Sequence, residues 1–185
     1  MRHLCSKMVV QGDLAVRNIM VNHFPREVKV AECVLAKDLT HTRTRCRIHR
    51  GSYNQNMPLR WYPPEYLRNH YYSFKGDVWA FGIMLWEMQT FGTLPYPNLE
   101  TPELVVRHVC SGYRNSVPET CRAEILQLIN DCWLENHAQR PTFNDIVRVL
   151  ENMLESDAVS FFIHHLHLMS FSVDMNVLKR QFWHP

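Results

Sequence analysis

The sequence predicts a mainly α fold with one small β element near its start, and three features of its 185 residues carry that reading. Four segments after residue 73 place apolar side chains at helical spacing. Two short β-branched runs flank a turn at Asn22–Pro25, close to the start. One long polar stretch, residues 38–56, shows no apolar periodicity at all.

In chain order, Val9 to Val21 sets polar residues between two short apolar runs, the pattern of a loop closing on a strand. Val28-Lys29-Val30 supplies a second strand across the turn. Residues 38–56 hold four arginines and two histidines, and read as a long mobile loop of the functional kind. Phe74–Thr90 is the strongest helix. Val78, Trp79, Phe81, Ile83, Leu85, Trp86 and Met88 cover nearly every face, the mark of a helix buried all round. Asp77 is placed to cap it or meet its dipole, and Gly92 to end it.

Thr101-Pro102-Glu103 opens a second helix with Pro at the first position and acid in the first turn; Leu104, Val105, Val106, His108 and Val109 form its apolar side. Cys121–Trp133 is a third, carried by Ile125, Leu128, Ile129 and Cys132. Thr142–Leu154 is a fourth, capped by Thr142, with Ile146, Val147, Val149, Leu150 and Met153 facing the core. Residues 157–185 follow no such pattern and are expected to be disordered or loosely packed. A partner or membrane-surface helix is a second reading of that tail, since some of its apolar residues recur at helical spacing.

Composition removes several function classes. A chain of this length has room for one domain with a substantial core. A net charge of +2 is too small to argue for nucleic acid or a charged membrane surface. Six cysteines without a C-x-x-C pair suggest neither a zinc site nor a disulfide framework, and fit a reducing, cytoplasmic setting. No stretch reads as a signal peptide or reaches membrane-spanning length. His164, His165 and His167 lack the acidic or cysteine neighbour that a metal site would want.

Five short motifs occur in a fixed order. Gln11-Gly12-Asp13-Leu14-Ala15-Val16-Arg17-Asn18 resembles the catalytic loop of protein tyrosine kinases, H-R-D-L-A-A-R-N. Residues 28–38, centred on Glu32-Cys33-Val34, resemble the metal-binding strand and turn around D-F-G. Leu59-Arg60-Trp61-Tyr62-Pro63-Pro64-Glu65 resembles the end of the activation loop, with Pro63 in the alanine position of A-P-E. Asp77-Val78-Trp79-Ala80-Phe81-Gly82 and the run from Asp131-Cys132-Trp133 to Arg140-Pro141-Thr142 complete the series. Their order identifies residues 1–156 as a member of the protein tyrosine kinase family, receptor type. The fold class is then the kinase C-lobe, with the end of a helix at Arg2–Lys7 leading into the loop. Pro58–Trp61 and Gly112–Trp133 look most like the insulin-receptor branch, while Gly12 is similar to divergent pseudokinases.

The resemblance implies a chemistry. Phosphoryl transfer needs an acceptor oxygen in line with the γ-phosphate and positive charge on the phosphates. Asp13 would orient the substrate hydroxyl or take its proton, and Arg17 would sit beside the phenol. Asn18 and Glu32 would ligate Mg²⁺ or Mn²⁺ and so bind ATP. Outside that context, Asp13 and Asn18 are ordinary turn formers. Glu65 and Arg140 would pair to pin the end of the activation loop, and Asp77 would hold the backbone of the catalytic loop.

Departures from the family pattern bear on activity. Glu32 stands where the family has aspartate, and Mg²⁺ tolerates little deviation from octahedral geometry. Cys33 and Val34 replace phenylalanine and glycine, removing a flexible turn. Gln11 and Gly12 replace histidine and arginine, so an anchor for a phosphorylated activation loop is lost. Thr40, Thr42 and Thr44 lie among Arg43, Arg45, Arg47 and Arg50 where paired tyrosines would be sought, and Tyr53 comes late. Lastly, no glycine-rich phosphate loop, β3 lysine or partner glutamate helix precedes residue 9; the chain reads as the C-lobe of a longer kinase whose N-lobe would be its partner.

The expected function is that of a pseudokinase in receptor tyrosine kinase signalling, binding protein partners at the cytoplasmic side of the plasma membrane. The alternative is a fragment of an active, ATP-dependent kinase acting on tyrosines of protein substrates.

Overall fold

The computed structural model describes residues 1–22, 27–31, 35–40, 46–47 and 57–172, with side chains described through residue 158 except at 46–47. Glu32, Cys33, Val34, Thr42, Thr44, Arg43, Arg45, Arg50 and Tyr53 lie outside these residues, as do the side chains of Arg47, His164, His165 and His167. The chain divides into two units, Met1–Ile146 and Val147–Pro185.

The first unit is mainly α, as the periodicity predicts. Helix α1 (Arg2–Ser6) leads into strand β1 (Val9–Val10). Strands β2 (Ile19–Asn22) and β3 (Glu27–Val30) form the expected antiparallel ribbon, in register from Ile19 opposite Val30 to Asn22 opposite Glu27. A second ribbon pairs β1 with β4 (Lys37–Asp38). Inside the stretch expected as a loop, β5 (Cys46–Arg47) pairs with β6 (Tyr71–Tyr72). Between them lies α2 (Pro64–Asn69), with Pro64 at its first position, where a missing N–H costs nothing.

Helix α3 (Phe74–Gln89) is the axis of this unit, and eleven of its sixteen residues are buried, so little of it is left for solvent. Ser73, rather than Asp77, caps its start: the Ser73 hydroxyl accepts the Lys75 N–H at 3.2 Å. At the other end Gly92, at φ +86°, donates its N–H to the Glu87 carbonyl at 2.8 Å. That left-handed turn suits a glycine. Two residues expected inside are less covered: Met88 is 44% exposed, and Phe81 is half-buried edge-on against Phe143, with ring centres 5.8 Å apart.

Around α3 stand α4 (Pro102–Cys110), α5 (Ala123–Cys132) and the start of α6 (Phe143–Ser172). Thr101 caps α4 through the Leu104 N–H at 3.3 Å. Val105 and Val109 are its buried residues; Leu104, Val106 and His108 are half-covered. Thr142 and Asp145 cap α6 reciprocally, each side chain accepting the other's backbone N–H, at 3.0 and 3.2 Å. Ile146 is buried, but Val149 is 38% exposed, contrary to its assignment to the core face. Three residues on from Ile146, it is turned aside by about 60°. The helix continues well past Leu154 and the 156/157 boundary to Ser172. Within the second unit this helix is the described structure of residues 147–172; no described helix is long and apolar enough to cross a membrane.

Packing of α3 on α5 depends on Gly82. A Cβ built there would lie 2.7 Å from the Cys132 Cβ and 2.7 Å from the Trp133 Nε1, both on crowded side chains. Gly82→Val therefore overpacks the core and lowers stability by about 1–3 kcal/mol or more in chemical denaturation, with an unchanged denaturant slope.

Candidate functional site

The site is a loop held at two points by one helix. Asp77, fully buried in the first turns of α3, accepts the Gln11 N–H at 2.8 Å and the Gly12 N–H at 3.0 Å, one on each carboxylate oxygen. Glu87, near the other end of α3, accepts the Val16 N–H at 3.2 Å and the Trp61 indole N–H at 2.9 Å. Asp77 therefore does what the resemblance implies, and Glu87 adds an anchor that the motifs had not flagged. Burial pushes the Asp77 carboxyl up to about 6, against the pull of the two amides that bind its charged form. Burial also raises the Glu87 carboxyl, opposed by its Trp61 and Val16 donors.

Between these anchors the loop folds on itself. The Asp13 N–H donates to the Gln11 side-chain oxygen at 2.6 Å. The Asn18 amide donates to the Asp13 carbonyl at 2.6 Å and to the Asp13 carboxylate at 2.9 Å, and Arg17 forms an ion pair with the other carboxylate oxygen. A short 3-10 turn, Val16–Asn18, makes these contacts possible by bringing the Asn18 N–H to the Ala15 carbonyl at 3.0 Å. The Arg17 guanidinium also lies 4.2 Å from the centre of the Trp61 ring, a cation–π arrangement. Asp13, Arg17 and Asn18 thus converge on one cluster.

Of the two residues expected to ligate a cation, Asn18 is among the described residues. The donations from the Asn18 amide nitrogen leave its oxygen as the ligand atom, and an amide oxygen is the hard donor that Mg²⁺ prefers. The Ala31 N–H donates to the Asn18 carbonyl at 2.7 Å. Glu32 itself, the other expected ligand, lies outside the described residues.

Gly12 is built into the loop rather than simply tolerated by it. Its φ is +77°, and a Cβ there would lie 2.7 Å from the Leu35 carbonyl oxygen. A side chain at this position would face both the strain of the left-handed region and a backbone atom that cannot easily move aside.

The segment after the loop is clamped by two arginines. Arg140, with no exposed side-chain surface, binds both Glu65 oxygens at 2.7 and 2.8 Å. It also donates to the Leu134 carbonyl at 2.8 Å and the Lys75 carbonyl at 3.0 Å, and lies 4.9 Å from the Trp79 ring centre. The pair expected from the motifs is therefore present and bidentate. Arg60, which the motifs left without a role, donates to the carbonyls of Pro95, Tyr96 and Leu99 at 2.8, 3.0 and 2.7 Å. Tyr62, Tyr66 and Tyr72 pack beside them with ring centres 4.4 to 5.9 Å apart.

A signal for Glu87 was present in the sequence. A carboxylate inside a helix apolar on every face must find donors, because an unpaired buried charge is too costly to keep. Arg60 offered no such signal, since its acceptors are backbone carbonyls.

Comparison with known proteins agrees with this geometry. Residues 1–150 match the protein tyrosine and serine/threonine kinase family. The chain is 35% identical over 156 residues to fibroblast growth factor receptor homolog 1 of Drosophila melanogaster, covering 84% of this chain and 21% of that protein. It is 34% identical over 157 residues to the tyrosine kinase receptor Cad96Ca of the same organism, covering 85% of the chain and 20% of the relative. It is 35% identical over 158 residues to the mast/stem cell growth factor receptor Kit of Gallus gallus, covering 85% and 16%. The chain therefore spans about a fifth or less of the length of these relatives, none of which is named as an insulin-receptor protein.

Removing one partner of the buried pair, as in Glu65→Ala, leaves Arg140 charged and uncompensated, and lowers stability by about 3–5 kcal/mol in denaturant titration. Replacing both by apolar residues, Glu65→Leu with Arg140→Met, recovers much of that loss. The second expectation concerns pH. The Asp77 value of about 6 lies above the 3.8 of an ordinary aspartate, so folding favours its protonated form. Its contribution to stability is fully present below the unfolded value and is lost as the pH rises through the folded value. Carbon-detected NMR of the Asp77 carboxyl therefore shows a midpoint near 6; a midpoint near 4 contradicts the burial argument.

Proposed function

The chain belongs to the protein tyrosine and serine/threonine kinase family, and on that premise we propose that it acts in receptor tyrosine kinase signalling as a pseudokinase, by binding protein partners rather than by transferring phosphate. The observation that carries this reading is the state of the loop at Gly12. The family's arginine is replaced by a glycine whose backbone lies in the left-handed region and whose Cβ direction is filled by Leu35. A loop built this way has no place for the cation that meets a phosphorylated activation segment, so switching by phosphorylation loses its anchor. Glu32, Cys33 and Val34 support the same reading, since they change both the metal ligand and the turn that sets it.

The alternative is an active ATP-dependent tyrosine kinase domain. It is favoured by the cluster of Asp13, Arg17 and Asn18, which keeps the groups that orient an acceptor hydroxyl and hold a divalent cation. In that reading Asp13 and Arg17 are catalytic, Asn18 and Glu32 hold Mg²⁺ or Mn²⁺ with ATP, and the N-lobe of a longer kinase closes the site.

In both readings we take residues 1–156 as the partial kinase domain and 157–185 as a tail outside the family pattern. Kinase domains of receptor tyrosine kinases are cytoplasmic, and we assign this unit to the cytoplasmic side of the plasma membrane with protein substrates or signalling proteins as its partners.

Label transfer from γ-labelled ATP, with Mg²⁺ or Mn²⁺ and a tyrosine polymer, tests the choice. The proposal expects no incorporation that Asp13→Asn abolishes, whether from the 185-residue chain or from the same residues joined to a kinase N-lobe; Asp13-dependent incorporation from either overturns it. Should transfer occur, Glu32→Asp with Val34→Gly grades it: a gain of about 10²-fold marks an impaired native site, and little change marks a working one.

A further inference from the structure

Away from the loop, the first unit contains a cavity of about 840 Å³, a size typical of sites that enclose a small organic ligand. It lies between α1, the start of α3 and the start of α6. Its apolar lining comes from Phe74, Val78 and Phe143. Phe74 is half-buried and offers the more open apolar surface, while Val78, 1% exposed, and Phe143, 5% exposed, close the floor beside it. A flexible hydrocarbon chain suits such a floor better than a helix or a sheet edge.

The polar lining has one sign. Arg2 and Lys75 bring full positive charges, and His3 and His137 add imidazoles; no carboxylate among the described residues lines the cavity. Arg2 and His3 are exposed and stand at the mouth with Asn144 and Thr142. Lys75 sits deeper, half-buried, where its ammonium donates to the carbonyls of Arg140 and Pro141. That fixes its charge in place rather than neutralising it. The acid whose field reaches Lys75 is Asp145, and the Asp145 carboxylate is occupied by the Thr142 N–H and hydroxyl.

We propose that this cavity binds an aliphatic carboxylate, with the hydrocarbon chain on Phe74, Val78 and Phe143 and the carboxylate among the basic groups of the mouth. Charge selects the headgroup and shape selects the tail. The site lies apart from Asp13 and operates whether or not the chain transfers phosphate.

Isothermal titration of the 185-residue protein with decanoate, below its micellar concentration, tests this directly. Decyltrimethylammonium serves as the control with the same tail and the opposite charge. The proposal expects saturable one-to-one binding of decanoate and none of the ammonium. Arg2→Glu with His3→Glu, both exposed, weakens binding at least tenfold, and Asn144→Trp at the mouth abolishes it; circular dichroism reports that each variant keeps its helix content. Asp13→Asn leaves decanoate binding unchanged, which separates this result from the question of phosphotransfer. The absence of saturable binding overturns the proposal, as does equal binding of both amphiphiles or indifference to the mouth variants.

Discussion

Two buried carboxylates on one helix set the geometry of the candidate site. Asp77 and Glu87 lie ten residues apart on α3, a rise of about 15 Å, and between them they fix Gln11, Gly12, Val16 and Trp61. Neither charge would survive in an apolar helix without those donors, and the loop amides would be unsatisfied without those acceptors. Each side therefore requires the other. The loop's shape is a property of the core rather than of its own exposed residues.

The same logic extends to the segment after the loop. Arg140 is buried and bidentate with Glu65, and its remaining donors meet the Leu134 and Lys75 carbonyls. Arg60 gathers the carbonyls of Pro95, Tyr96 and Leu99. These arginines place fixed charge where the chain must turn, and they add specificity of geometry more than net stability. Trp61 links the two systems, through its indole N–H to Glu87 and its ring face to Arg17. A kinase-type scaffold is thus kept around a loop whose Gly12 is not the residue that the family places there.

Much of this was legible in the residues. The resemblance of the ordered motifs to the kinase family put Asp13, Arg17 and Asn18 on one loop and implied both the pairing of Glu65 with Arg140 and the hold of Asp77 on the loop backbone; residue type alone would have left Asp13 and Asn18 as turn formers. Periodicity found the helices, since a helix as apolar as α3 has only one place to go. What escaped had weaker signatures. The acceptors of Arg60 are carbonyls, which every residue has. The exposure of Val149 depends on a small angular offset along α6, and the continuation of that helix past residue 156 depends on backbone hydrogen bonding in a stretch without a strong apolar stripe. The cavity on α1, α3 and α6 brings together residues up to 142 positions apart in sequence, from Arg2 to Asn144, so no local pattern announces it.

The account rests on the loop being held from within the core, and amide hydrogen exchange at Gln11, Gly12 and Val16 in the intact chain tests that most directly. It predicts exchange as slow as that of buried amides in α3, because these three N–H groups open only when the helix's carboxylates release them. Exchange at the rate of exposed amides, with α3 still protected, would contradict it: the loop would then not depend on Asp77 and Glu87.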